Sequence, residues 1–449
     1  MIKYANGFRR WIFIAGAALL LCITMGDTCR AQSIQNAQLN ILPDGIRLIT
    51  LVRHNIPLVA IDVWIRAGNA DFTAQTCGVT HYIEHLIFKG TPAMKPGDLD
   101  KEIEDLGSEL NAGTLRDGVH FHTVVESRYW QKALAVIGNA LSNPAFRQQD
   151  INTERPVILT ELLRDHSDPR RIVSDRLTEL LFPGNPYGMP YQGLAATISA
   201  MSQDQIVQFY HQYYTTHRMT VVLVGDFNPN EAKATAELVF QPISGDTSPT
   251  TNTITPPAGT PPNTDAIQLT TPEVGMSGEI GLGWKGPPAL DQKADAALDV
   301  LSEILDLPRT GRLALAFSSQ QTPPNATCRY ISEKEGGIFT VLVTANSGFE
   351  SARQKIIEVI GALANNQPPL PGEIFLAKQR VIGRFLYDTE TVGGAARELG
   401  ISDILAGYQR SLDRVSVVNE LTEDDLVQAA QTYLNPAKAV CVELRASGG

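Results

Sequence analysis

Apolar positions along the chain alternate between two periods, and the points where the period switches outline its elements. Residues 46–51 and 58–67 are rich in Ile, Val and Leu and predict two strands around the turn Asn55-Ile56-Pro57. From 78 to 88 the period becomes helical, with Val79, Ile83, Leu86 and Ile87 recurring every three or four positions. A second helix is predicted over 98–106, ending at Gly107. Strands at 109–114 and 120–126 flank a turn at Asp117-Gly118. Helices follow at 128–141, from 148 through about 181, and at 204–214, then a strand at 220–224, the turn Gly225-Asp226 and a helix at 230–239.

The second half of the chain repeats this order. A strand ending in Gly281-Leu282-Gly283-Trp284 precedes a helix at 293–305, as the strand through Val63-Trp64-Ile65 precedes the helix at 78–88. The strand 339–343 and helix 350–363 match 121–125 and 128–141, and the helix 373–387 matches the long helix after 148. Finally 422–434 and 439–444 match 204–214 and 220–224. A duplication with about 200 residues per copy follows. The expected fold class is α+β, mixed: two homologous halves, each a mostly antiparallel sheet flanked by helices. Between them, residues 243–266 are rich in Ser, Thr, Pro and Gly and read as a linker, because such a stretch cannot bury enough apolar surface to fold. The expected division is therefore 1–31, 32–242, 243–266 and 267–449.

Composition narrows the class of partner. The 449 residues are 43% apolar and carry a net charge of −11, which argues against nucleic acid or an anionic membrane as the main partner. Lys3, Arg9 and Arg10 followed by the apolar run from Trp11 to Met25 predict a signal peptide, cleaved near Ala31. The expectation is an exported, periplasmic protein; an N-terminal anchor in the inner membrane is the alternative. Cys77, Cys328 and Cys441 then remain, an odd number without a C-x-x-C pair, so neither a disulfide framework nor a cysteine metal site is expected.

The chemistry centres on His81-Tyr82-Ile83-Glu84-His85. Residues four apart on a helix lie one turn above each other, so the two imidazoles can converge on one Zn²⁺ while Glu84 projects near the same face. This H-x-x-E-H order is the reverse of the commoner H-E-x-x-H zinc-protease motif. A hydrolytic zinc site takes three protein ligands and leaves a position open. The helix after 148 offers Glu154, Glu161 and Asp165; Glu154 and Glu161 are seven apart and share a face, and spacing alone does not choose between them. The second copy has no histidine at the matching helix. His120 and His122 share a strand face and read as ordinary strand residues.

With its flanks, His81-Tyr82-Ile83-Glu84-His85-Leu86-Ile87-Phe88-Lys89-Gly90-Thr91 resembles the signature of the pitrilysin family, the inverzincins, which include insulin-degrading enzyme and the mitochondrial processing peptidases. The resemblance spans the mature chain, including the two-copy layout and Val224-Gly225-Asp226. It implies that Glu161, 76 residues past His85, is the third zinc ligand and that Glu154 steadies the site from behind it. It implies one Zn²⁺ per chain, with Glu84 as general base on zinc-bound water in peptide hydrolysis. Leu110-Asn111-Ala112-Gly113-Thr114 resembles the family's substrate-binding edge strand, to which a peptide would add as a further strand. Pro156 departs from the pattern and is expected to kink the helix between the two glutamates. Relatives that act alone carry an arginine and, seven positions on, a tyrosine in the second half; from Arg309 to Tyr330 no such pair occurs. The chain also resembles one half of the large four-domain members. A heterodimer with a related subunit that supplies the pair is therefore expected, with a homodimer as second choice. The leading function is an exported zinc endopeptidase acting on peptides or unfolded segments. The alternatives are a non-catalytic structural subunit of the same fold and a processing peptidase with one substrate.

Overall fold

The β-branched runs of the first half pair into a six-stranded sheet. In the computed structural model, residues 34–243, 266–274, 276–318, 324–345, 347–365 and 367–447 are described. The expected signal segment and nearly all of the expected linker lie outside them. The strands are β1 (Gln38–Ile41), β2 (Arg47–Val52), β3 (Leu58–Ile65), β4 (Asn111–Thr114), β5 (Val119–Glu126) and β6 (Met219–Gly225), in the spatial order β1-β2-β6-β3-β5-β4. β2 and β6 are parallel and the other neighbours antiparallel, so β4 forms one free edge.

The second sheet comprises β7 (Ile267–Val274), β8 (Glu279–Lys285), β9 (Ala326–Ile331), β10 (Ile338–Thr344) and β11 (Val440–Ser447), ordered β7-β11-β8-β10-β9. Again the β7–β11 pair is parallel and the rest antiparallel. Substituting β7 for β2, β11 for β6, β8 for β3, β10 for β5 and β9 for β4 reproduces the first sheet without β1. The duplication expected from element order is thus a duplication of topology: two tandem α/β domains, each a mixed sheet flanked by helices.

Alternation along the strands divides each sheet into two apolar faces. Val59, Ile61, Val63 and Ile65 of β3 face the main core of the first half, together with the helices Val79–Ile87 and Trp130–Ser142. Ala60 and Trp64 face the other way, and what covers them comes from the second half. Val392, Ala395, Ala396 and Leu399 of the helix Val392–Ala406 pack there with Val222 and Val224. The exchange is mutual. Val173 and Leu177 of the helix Pro169–Leu181 pack on Val440, Val442 and Leu444 of β11. Gly281 of β8 makes room for that helix, since a Cβ there would lie 2.4 Å from Val173 Cγ1. Each half therefore lends one helix to the other, which the reading of two self-contained copies did not include.

Polar contacts fasten the exchange. Asp403, on the lent helix, is fully buried and receives Arg47 Nη2 at 2.6 Å, Arg66 Nη2 at 2.5 Å and Thr220 Oγ1 at 2.8 Å. Arg53 donates to the carbonyls of Thr389 and Glu390 at 3.2 and 3.1 Å.

The single long helix expected from 148 to about 181 is two helices, Gln148–Asp165 and Pro169–Leu181. Asp168 caps the second by accepting from the Arg170 amide, and Pro169 takes its first turn, where no amide partner is needed. The break lets the ligand helix stay with its own half while the next helix crosses over.

Candidate zinc site

The motif helix Val79–Ile87 buries Val79, Tyr82, Ile83, Leu86 and Ile87, each contributing about 1.5–3 kcal/mol of burial, and turns His81, Glu84 and His85 toward one side. Its start depends on Gly78, whose φ of 86° lies in the left-handed region and where a Cβ would meet Gly193 Cα at 2.4 Å. That close approach brings the Gln192 carbonyl within 3.1 Å of His81 Nδ1. A carbonyl only accepts, so Nδ1 carries the proton and Nε2 presents its lone pair. At the other end of the motif the His85 Nδ1–H donates to Glu154 Oε2 at 3.1 Å, which frees its Nε2 in the same way. Glu154 is itself buried and its Oε1 is held by Lys89 Nζ at 2.7 Å.

The helix Gln148–Asp165 runs through Pro156 and brings both glutamates to the histidines. It is tied to the motif helix by the Tyr82 hydroxyl, which donates to the Ile151 carbonyl at 2.5 Å. Glu161 Oε2 lies 3.5 Å from His81 Nε2 and 3.4 Å from His85 Nε2, and the two nitrogens are 3.3 Å apart. Among the described residues this is the cluster of His, Cys, Asp or Glu able to hold a metal ion. A tetrahedral ion at about 2.0–2.1 Å from each ligand separates the ligands by about 3.3–3.4 Å. The three atoms therefore form one face of that tetrahedron. Two lone pairs and a carboxylate oxygen aimed at each other across such distances repel unless a cation lies between them. Burial, then the neighbouring His85, pushes the His81 imidazole below its ordinary value, which favours the neutral form that binds metal.

Glu84 stays outside this triangle. Its Oε2 accepts a hydrogen bond from the Thr114 hydroxyl on β4, which links the motif helix to the sheet edge. Thr114 was expected in the substrate strand and also steadies the carboxylate. Asn111, Ala112 and Gly113 lie with it on β4. Leu110, expected in the same strand, directly precedes it, and its side chain is buried in the main core. Pairing stops at Asn111 because the Thr123 hydroxyl takes the Glu109 carbonyl at 2.8 Å and the Ser108 hydroxyl takes that of Val124 at 2.7 Å, in place of ladder bonds. The helix and strand pattern did not point to Lys89 and Gln192. Lys89 falls inside the motif's flank, four residues past His85, whereas Gln192 is distant in sequence and reaches the site where the Gly78–Gly193 contact and the bonds of Cys77 with Pro190 and Thr197 bring its segment against the motif helix. In the second half, Arg312 is held by Glu373 at 2.6 Å and Tyr330 donates to Asp295 at 2.8 Å. Cys77, Cys328 and Cys441 are buried free thiols.

The inverted motif, with its ligand triangle and a carboxylate beside it, is that of a zinc metalloendopeptidase. Comparison with known proteins agrees. Residues 48–193 match the family Insulinase (Peptidase family M16), and residues 200–378 match the Peptidase M16 inactive domain. The chain belongs to the M16 peptidase superfamily. It is 24% identical over 408 residues to an uncharacterized zinc protease of Streptomyces coelicolor, covering 89% of this chain and 88% of that one. It is 30% identical over 222 residues to a probable mitochondrial-processing peptidase subunit beta of Arabidopsis thaliana, covering 49% and 42%. The crystal structure of a protease from Helicobacter pylori shares the fold with a TM-score of 0.82 at 20% identity, covering 91% of this chain and 99% of that one.

Proposed function

We propose that the chain is an exported endopeptidase that hydrolyses peptides or unfolded segments, with one Zn²⁺ held by His81, His85 and Glu161. The observation that carries this reading is the donor triangle of 3.3 to 3.5 Å, with Glu84 beside it and not in it. When bound, zinc supplies a Lewis acid that polarises a carbonyl and makes water more acidic. Everything else is the chain's own work. Glu84, oriented by Thr114, takes the proton of the attacking water on its free oxygen and passes it to the leaving amine. An extended substrate adds to the free edge of β4, where backbone bonds hold it with little demand on sequence. Gln192 and Glu154 fix the histidine tautomers, and Lys89 pairs with Glu154 in its buried place.

The partner reading belongs here as well. Similarity to a processing peptidase subunit beta supports a second, related subunit that completes the substrate grip, since the region from Arg309 to Tyr330 lacks the arginine–tyrosine pair. Export rests on the basic and apolar N-terminal segment. No helix among the described residues is long and apolar enough to cross a membrane.

The test is zinc content of the purified chain together with cleavage of a mixed peptide library, with and without a related subunit. Stoichiometric zinc and cleavage lost in Glu84→Gln are expected. Zinc without cleavage under any pairing would favour the non-catalytic alternative. Cell fractionation and N-terminal sequencing of the mature chain check export.

A further inference from the structure

The face of the first sheet turned away from the zinc carries a buried polar stack that the chemistry above does not use. His120 of β5 is 4% exposed, and its ring is sandwiched between Trp64, at 4.1 Å and 14°, and His122, at 5.0 Å and 14°. Its Nδ1 lies 2.9 Å from Oδ1 of Asp62, which is 2% exposed. A carboxylate accepts, so the proton sits on Nδ1 and Nε2 presents its lone pair. No hydrogen bond to that Nε2 occurs among the described residues. The nitrogen leans instead over Gly113, the cross-strand partner of His120 in β4, where a Cβ would lie 3.0 Å from it.

β4 is the end of the sheet, so a peptide added there is the next strand, about 4.8 Å away. Side chains level with Ala112 and Thr114 then point to the zinc side, and those level with Asn111 and Gly113 to the other. Asn111 is cross-strand partner to His122 and opens onto a cavity of about 650 Å³. Gly113 carries no side chain to cover Nε2 on the side of the added strand. The acceptor has no protein donor among the described residues, and a substrate hydroxyl or carboxamide at that level supplies one where an aliphatic side chain would only displace solvent from it.

Resting on the endopeptidase reading, we propose that His120 is a specificity residue. It selects the substrate residue level with Gly113 on the face away from zinc, favouring Ser, Thr or Asn over an aliphatic side chain of the same size. Asp62 is the positioning residue that sets its tautomer.

The test uses matched peptides that differ by Thr or Val at one position, scanned along the sequence. Binding to the zinc-loaded Glu84→Gln chain is read by fluorescence anisotropy, and kcat/KM with the unaltered chain. A preference for Thr of roughly ten-fold at one position is expected. His120→Phe removes the preference while the Val peptide still binds. Gly113→Ala, whose Cβ would press on Nε2 and its neighbouring ring carbon, removes the preference as well and covers the case in which the Phe variant fails to fold. In Asp62→Asn the amide donates to Nδ1 and moves the ring proton to Nε2, so the preference passes to Asp, a change that loss of packing alone does not produce. Equal binding of Thr and Val at every position, or a preference that survives both His120→Phe and Gly113→Ala, overturns the proposal. Cleavage without the preference overturns this site alone. A bound preference with no cleavage of any peptide sinks the endopeptidase reading and leaves the site standing, and no peptide binding at all overturns both.

Discussion

At the scale of single residues, the site divides into groups that do chemistry and groups that aim them. Glu84→Gln keeps the shape of the side chain and removes its basicity. Peptide cleavage should fall at least about 100-fold with zinc content unchanged, measured by kcat/KM beside elemental analysis. Glu154→Gln leaves all three ligands in place but loosens the His85 ring. Its expected mark is a zinc affinity about 10–100-fold weaker in a chelator competition. An unchanged affinity would mean that the contact with His85 Nδ1 is incidental. The two histidines and Glu84 were legible because helix spacing is local. Glu161 was not separable from Glu154 by spacing, since both stand on one face of one helix, and it needed the family resemblance. In space the two are told apart by which ring nitrogen each reaches. Gln192 had no local signal, because a backbone carbonyl enters the site wherever two glycines allow the chains to touch.

Elements show where a period alone misleads. Asp168-Pro169 is a helix-start signal, yet the apolar pattern runs across it, and the expected single helix is two with different destinations. The lent helix Val392–Ala406 was not predicted at all. Its Val392, Ala395, Ala396, Leu399, Gly400 and Leu405 are buried on more than one side, so the one-faced stripe that marks a surface helix is absent. Gly281 in β8 was read as part of a strand; its meaning, a close approach of another element, is visible only with the crossing helix in place. Asp403 anchors that crossing. Burial alone would raise its pKa, but Arg47, Arg66 and Thr220 outweigh burial and hold the carboxyl below its ordinary value. Asp403→Asn should cost about 2–3 kcal/mol in urea unfolding at neutral pH. A carboxyl with a depressed folded pKa contributes stability above its unfolded value, about 3.9, and loses it as pH falls through the folded one. The difference between the variant and the unaltered chain should therefore shrink as pH drops below about 4. A difference that is constant across that window would show that the ion pairs with Arg47 and Arg66 add nothing.

For the whole molecule, the mutual loan of helices makes two copies into one cooperative body. Residues 34–243 expressed alone would expose Ala60, Trp64, Val222 and Val224, all buried under the lent helix. That fragment should aggregate, and co-expression with 266–447 should return it to solution, as judged by soluble yield and gel filtration. A fragment that is soluble, monomeric and zinc-binding by itself would mean that the lent helix is dispensable. The duplication was readable from element order because topology leaves its trace in the succession of strands and helices. The exchange left no such trace, since it concerns which sheet a helix lies on and not where it falls along the chain. Its consequence is evolutionary. The second copy holds no metal-binding cluster among the described residues, but its Val392, Ala395, Ala396 and Leu399 form a wall of the half that carries the site. Selection for hydrolysis therefore reaches across the duplication. An inert twin of this kind cannot be discarded or shuffled away by recombination, because the working copy has no complete interior without it.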